Sequence, residues 1–243
     1  TKIKIISDLH VEDYNKCNTE EMNNFFRKIF GINSPDNLMD WDENQFKDTI
    51  LIIAGDYNTF QVFKKNSNDL VMSFFADSFK HVVYVPGNHE YYNTEMLTID
   101  KIDQGFKEIF TKNQYYLGNV TYLNNDVIEI DGIKIAGTTL WTPMKNHRQT
   151  NSFYNVQDRH NIFVDDPKTG EVRFIQPSDV DRLHEESRKF LLGLKDQNVD
   201  IVVTHHLPHI RVMDQKFLHS HMNVIYNYYS DQSDIIHLSL IHI

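Results

Sequence analysis

The sequence predicts an α/β fold, and three observations carry that reading. Four hydrophobic runs, IKIIS, ILIIAG, VVYVPG and DIVVT, are nearly continuous in Ile, Val and Leu and are bounded by polar, Gly or Pro positions, as strands covered on both faces are. Between the second and third runs lies a segment with helical spacing, and the resulting strand, helix, strand order implies parallel pairing. Each run also ends within a residue or two of a metal-ligand type: Asp8 and His10, then Asp56, then Asn88 and His89, and finally His205. Ligand-binding groups of parallel sheets gather at the carboxyl ends of the strands, so these four distant segments are expected to converge on one crevice.

The first strand leads into a polar stretch, Glu12 to Asp48, in which a short helix is expected over Glu20 to Phe30. Met22, Phe25, Phe26, Ile29 and Phe30 share one face there at three-and-four spacing, and that face packs on the sheet. A second helix is expected at Leu70 to Phe79. From Tyr115 to Trp141 the runs NVTYL, DVIEI and IKIAGTTLW are short and alternating. With Asp131-Gly132 as a tight hairpin turn, they read as antiparallel strands of a second sheet packed on the first. Lys145 to Gln176 is a polar surface excursion near the cleft, with turns at Asp166-Pro167 and Thr169-Gly170. A helix is expected at Ser178 to Leu194, with Ser178 as N-cap and Asp181 as an imperfect capping-box partner, and DIVVT then delivers His205.

A chain of 243 residues suits one large domain with a full core. The formal charge of −10, without any block of basic residues, argues against a protein that grips long duplex nucleic acid by neutralising phosphates. Cys17 is the one cysteine, so no intrachain disulfide forms and a reducing, cytoplasmic location is the default. No uncharged apolar run approaches the roughly 18 to 20 residues of a membrane span, and no secretory leader is visible, so no membrane partner is expected. The chain opens at Thr1 directly in the first strand, as a processed or partial chain would. Its last residues, Leu238 to Ile243, equal the translation of a transposase mosaic-end adapter. The expected organisation is therefore one domain over 1–237 and a non-native tail over 238–243.

Asp8 and His10 are two apart, so an extended strand end points both side chains to one side. Asp56 follows Gly55, which lets the chain turn sharply, and Asn88 and His89 follow the turn residues Pro86-Gly87. Carboxylate, imidazole and amide oxygen together suit Mn, Fe or Zn, and mixed sets of this kind are typical of paired divalent ions. One carboxylate must bridge such a pair, and Asp56 comes from the middle of the set. Two ions about 3.5 to 4 Å apart would bind phosphate oxygens and lower the pKa of a water held between them, aiming a hydroxide at phosphorus.

Asp8-Leu9-His10, Gly55-Asp56, Gly87-Asn88-His89-Glu90 and Thr204-His205 together resemble the successive signatures of the calcineurin-like metallophosphoesterases, and the resemblance runs over essentially the whole chain. GTTLW (Gly137 to Trp141) and VVTHHLP (Val202 to Pro208) are similar to a branch common in bacteria and phages. The resemblance implies a four-layer α/β/β/α sandwich. It implies two divalent or transition metal ions, Mn favoured over Fe or Zn, one on Asp8, His10 and Asp56 and the other on Asp56, Asn88 and His205. By the same resemblance His89 is not a ligand. It stands beside the leaving group as proton donor or charge stabiliser, with Glu90 orienting its ring. The family closes with Gly-His-x-His on a last strand, a motif this chain lacks; His237 and His242 are poor substitutes.

Of 13 histidines most are not ligands, and His81, His147, His160, His184, His219 and His221 have no motif around them. His206 and His209 either line the cleft beside His205 or are packed and hydrogen-bonded. Trp141 is either core or, by the GTTLW resemblance, a wall of the substrate pocket. Asn88 is expected to touch substrate as well as metal, and Arg159 is either a phosphate contact or a solvated loop residue. The expected activity is hydrolysis of a phosphate ester on a phosphorylated small molecule, a nucleotide or a phosphoprotein. The alternatives are a phosphodiesterase or nuclease on the same site, or a catalytically weak binding scaffold.

Overall fold

The computed structural model describes residues 1–11, 46–65, 70–112, 117–144, 150–151, 153–209, 211 and 240–241. The helix expected over Glu20 to Phe30, Cys17, His147, His219, His221, His237 and His242 lie outside them. The first sheet is built from β1 (Lys2–Ile6), β2 (Thr49–Ala54), β3 (His81–Val85) and β4 (Val120–Tyr122), in that order and all parallel. Helices α1 (Phe60–Lys65) and α2 (Leu70–Ser78) join β2 to β3, and α3 (Ile99–Lys112) joins β3 to β4. The second sheet has the order β10 (Leu240–Ile241), β9 (Ile201–Thr204), β6 (Ile133–Thr138), β5 (Asp126–Ile130). In it β5 and β6 are antiparallel, whereas β6 and β10 both run parallel to β9. The excursion contributes α4 (Asp158–Asn161) and the hairpin β7 (Phe163–Asp165) and β8 (Val172–Phe174), and α5 (Pro177–Gly193) precedes β9.

Strand periodicity explains the layering. Along β2, Ile50, Ile52 and Ala54 face one way and meet Ile135, Ile201 and Val203 of the second sheet, while Leu51 and Ile53 face the other way into a core shared with Phe75, Phe106 and Phe110 of the helices. On the far side of the second sheet Ala136 and Val202 pack with Leu191 of α5. The order is helix, sheet, sheet, helix, an α/β sandwich of one parallel and one mixed sheet. Gly137 lies at a close approach of the two sheets: a Cβ there would come 2.6 Å from Val85 and 2.8 Å from Leu123.

Two expectations change in detail and a third, the Asp131-Gly132 turn, holds. NVTYL forms β4 but pairs parallel with β3, because alternation in a three-residue strand reports which face is buried and not which way the neighbour runs. The Asp131-Gly132 turn is present, with φ of 53° and 77°. The helix expected from Ser178 starts earlier, with Gln176 as N-cap, Pro177 in the first turn and Asp179 accepting from the Gln176 N–H at 2.8 Å. Helix α3, unmarked in the sequence reading, buries Ile99, Ile102, Phe106 and Phe110 along one stripe. No described helix is long and apolar enough to cross a membrane.

Phe106 is the hub of the helix-side core, with ring centroids of Phe60, Phe63, Tyr84 and Tyr122 at 4.9, 5.4, 5.4 and 5.1 Å. Phe106→Ala is expected to cost about 3–5 kcal/mol in urea unfolding. Nearby, Asp103 accepts from the hydroxyls of Tyr91 (2.8 Å) and Tyr122 (2.5 Å) and from Asn124 Nδ2 (2.9 Å). Burial pushes its carboxyl up, and these donors oppose the rise without cancelling it. A carboxyl raised in the folded state adds stability that is fully present below the unfolded value near 3.9 and is lost as pH rises through the folded value. Asp103→Asn should remove that slope from the pH dependence of urea unfolding.

Candidate metal centre

The parallel strands deliver their carboxyl ends to one edge. Beyond β1 the chain keeps following the turn after β2: the N–H groups of Asp8, His10 and Val11 donate to the carbonyls of Gly55, Asp56 and Tyr57 at 3.0, 3.0 and 2.8 Å. Asp8, His10 and Asp56 hold φ of 52°, 46° and 52°, a left-handed conformation that costs a non-Gly residue of order 1 kcal/mol or more and clusters at functional sites. Those backbone bonds hold the strained turns in place. Gly55 and Gly87 are required for a different reason. A Cβ on Gly55 would lie 2.2 Å from His205 Nδ1, and one on Gly87 would lie 2.2 Å from Asp56 Oδ1.

Asp56, 5 % exposed, is at the centre. Its Oδ2 lies 3.9 Å from His10 Nε2 and its Oδ1 lies 3.4 Å from His205 Nε2, while Oδ1 also accepts from the His89 N–H at 3.0 Å. The donor atoms of His10, Asp56 and His89 fall within 4.8 Å of one another, a spacing that can hold a metal ion. His205 Nε2 is 3.3 Å from Asn88 Oδ1, and its Nδ1 bonds the Ala54 carbonyl at 2.9 Å, which fixes the ring from behind as metal-binding imidazoles commonly are. Asp8 is exposed on the same rim. Burial alone would lower the His205 pKa, but the charges of Asp56 and Asp8, the Ala54 carbonyl and Glu90 outweigh it and hold the imidazole above its ordinary value. A pocket whose surrounding carboxylates and carbonyl favour positive charge at a half-buried imidazole suits a cation, so the residues present fit a divalent ion.

Glu90 corrects one expectation. It is fully buried, and its carboxylate accepts from the N–H groups of Asp56 (3.1 Å), Tyr57 (2.7 Å) and Gly87 (2.7 Å) and from the Tyr84 hydroxyl (2.7 Å). Four donors fill the roughly four lone-pair sites of a carboxylate, so Glu90 ties the two ligand turns together and does not orient the His89 ring. That ring instead stacks on Tyr92 at 4.3 Å and meets His10 edge-on at 4.4 Å. Burial raises the Glu90 pKa, with the Asp56 charge adding to it, against the bonds from Tyr84 and Tyr57.

Trp141 is 3 % exposed and packs near Tyr91 and His206, and His206 is 6 % exposed. The GTTLW segment braces the site: Thr139 Oγ1 donates to the Pro86 carbonyl at 2.9 Å, and the His206 N–H donates to the Thr139 carbonyl at 3.0 Å. The histidines without a motif bond elsewhere, His81 with Thr121 and His184 with the Trp141 carbonyl. Arg159 bonds His160 and lies over the Tyr154 ring. Sequence reasoning left Asp158 without a role. Asp158 is 6 % exposed and accepts from Asn88 Nδ2 at 2.9 Å and from the Tyr92 hydroxyl at 2.5 Å. No local signal could have found this contact, since Asn88 and Asp158 are 70 residues apart.

The family model for calcineurin-like phosphoesterases matches residues 1–234. The chain belongs to that family. Among curated proteins this calcineurin-like family member is 26 % identical to the uncharacterized protein L509 of Acanthamoeba polyphaga mimivirus over 219 residues, 85 % of this chain and 68 % of that protein. Its fold is similar to that of the phosphopantetheinyl hydrolase PptH from Mycobacterium tuberculosis, with a TM-score of 0.56 and 15 % identity over 95 % of this chain and 76 % of that one. A protein of unknown function, AQ665 from Aquifex aeolicus, aligns with a TM-score of 0.37 and 12 % identity over 99 % of this chain and 88 % of its own. Glu90→Gln turns an amide N–H toward one of the four donors, and it is expected to destabilise the fold by about 1–3 kcal/mol in urea unfolding.

Proposed function

We propose that the chain hydrolyses phosphate esters with two divalent ions, Mn in first place and Fe or Zn as alternatives. Asp8, His10 and Asp56 hold one ion, and Asp56, Asn88 and His205 hold the other. The observation that carries this is the Asp56 carboxylate, whose two oxygens face two different imidazoles, His10 on one side and His205 on the other, as a bridging ligand requires. Such ions, when bound, supply electrophilic pull on the phosphate oxygens and acidify an attacking water. The chain's own residues do the rest. The backbone N–H of His89 is anchored on Asp56 and its ring is backed by Tyr92, so the imidazole can pass a proton to the departing oxygen. Hydrolysis by direct attack needs no covalent enzyme intermediate, and no Ser or Cys is called on as nucleophile.

The acidic chain favours a phosphorylated small molecule, a nucleotide or a phosphoprotein over duplex DNA, and its single cysteine suits the cytoplasm. A second reading has its own support. The closeness of His10, Asp56 and His89 suits a single ion with His89 as a ligand. Metal content and turnover of His89→Ala separate the two. A proton donor predicts full metal uptake with kcat down by about 10²–10⁴-fold, whereas a ligand predicts loss of the ion itself. Activity is read on p-nitrophenyl phosphate and its bis-ester, after chelation and after Mn²⁺ is restored. Phosphoesterase activity should appear only with metal and vanish in Asp56→Asn. Turnover preferring the bis-ester makes the protein a phosphodiesterase, and equal behaviour of wild type and Asp56→Asn leaves the binding scaffold.

A further inference from the structure

Asn88 carries two nearly isosteric ends, and only its oxygen can face a cation. Nothing in the side chain chooses between them. Its Nδ2 donates 2.9 Å to Asp158 Oδ1 and 3.2 Å to the Tyr92 hydroxyl, which turns Oδ1 the other way, to 3.3 Å from His205 Nε2. Asp158 Oδ1 also accepts from the Tyr92 hydroxyl at 2.5 Å, and the Tyr92 ring lies stacked on His89 at 4.3 Å and 28°. Asp158 Oδ1 is thus already an acceptor, so the reversed amide would set oxygen against oxygen. Asp158 is 6 % exposed, and both of its hydrogen-bond donors are neutral. A buried carboxylate with neutral donors is a costly structural brace, yet an acceptor oxygen facing Asn88 is what amide orientation needs.

We infer that Asp158, with Tyr92, is a positioning pair for the phosphoesterase site. Asp158 holds the Asn88 carboxamide with its oxygen toward the ion shared with His205, and it keeps the Tyr92 ring against His89. One buried acceptor thereby sets a metal ligand and the proton donor together. This inference rests on the two-ion reading above.

The test titrates Mn²⁺ into the full chain by calorimetry. Asp158→Ala is expected to weaken one of the two ions by about 10- to 100-fold, the range for lost outer-sphere partners, and to leave the other unchanged. Asp158→Asn, which keeps an acceptor oxygen, should restore most of that affinity. In an Asn88→Ala background, Asp158→Ala should add nothing further. Should Asp158→Ala not fold, Asp158→Leu fills the space without an acceptor and is read in its place. Wild-type affinity without the acceptor, or losses that simply add to those of Asn88→Ala, overturns the inference. If the wild type takes up no Mn²⁺, the two-ion reading fails, and proton exchange of the Asn88 side-chain amide decides the positioning alone. Slow exchange in the wild type that becomes fast in Asp158→Ala supports it, and equal exchange overturns it.

Discussion

Four donors converge on the Glu90 carboxylate, and the candidate centre depends on that convergence. Three of them are backbone N–H groups, from Asp56 and Tyr57 after β2 and from Gly87 after β3. Parallel strands bring their carboxyl ends to one edge but leave the turns beyond them with unpaired N–H groups. Glu90 answers that need from inside, where water cannot compete, so the two turns are fastened to one point and to the Tyr84 hydroxyl of β3. The candidate ligands are the residues on either side of that knot.

Strain and close approach follow from the same geometry. Asp8, His10 and Asp56 adopt left-handed backbone that ordinary strand ends avoid, and the cross-turn bonds from 8–11 to 55–57 sustain it. Gly55 and Gly87 let the second sheet's His205 come in against the first sheet. Thr139 adds a hydroxyl that grips the Pro86 carbonyl, so the second sheet also steadies the Asn88 turn. The two layers therefore share the task of shaping one small polar cleft.

Much of this was legible in the sequence because the informative features are local. Apolar runs ending on ligand types named Asp8, His10, Asp56, Asn88, His89 and His205, and covered strands imply layers on both faces. Partner choice was less legible. β4 alternates like a hairpin strand but joins the parallel sheet, and Glu90 looked like a neighbour for His89 until its lone pairs were seen to be taken by backbone. The buried partner of Asn88 was invisible: Asp158 lies in a polar excursion, and composition gives no reason for one acid there to turn inward.

The His205 contacts carry a consequence for how the molecule is made. His205 reaches the Ala54 carbonyl and the Asn88 amide across 151 and 117 residues, so the donor set closes only after the most distant segments of the chain have met. Contacts of such separation form slowly, because loop closure must come before they stabilise anything. During synthesis the turns after β1, β2 and β3 exist well before β9 has left the ribosome. A chain that has completed only the turns after β1, β2 and β3 therefore lacks His205, and the full candidate donor set belongs to the finished fold alone.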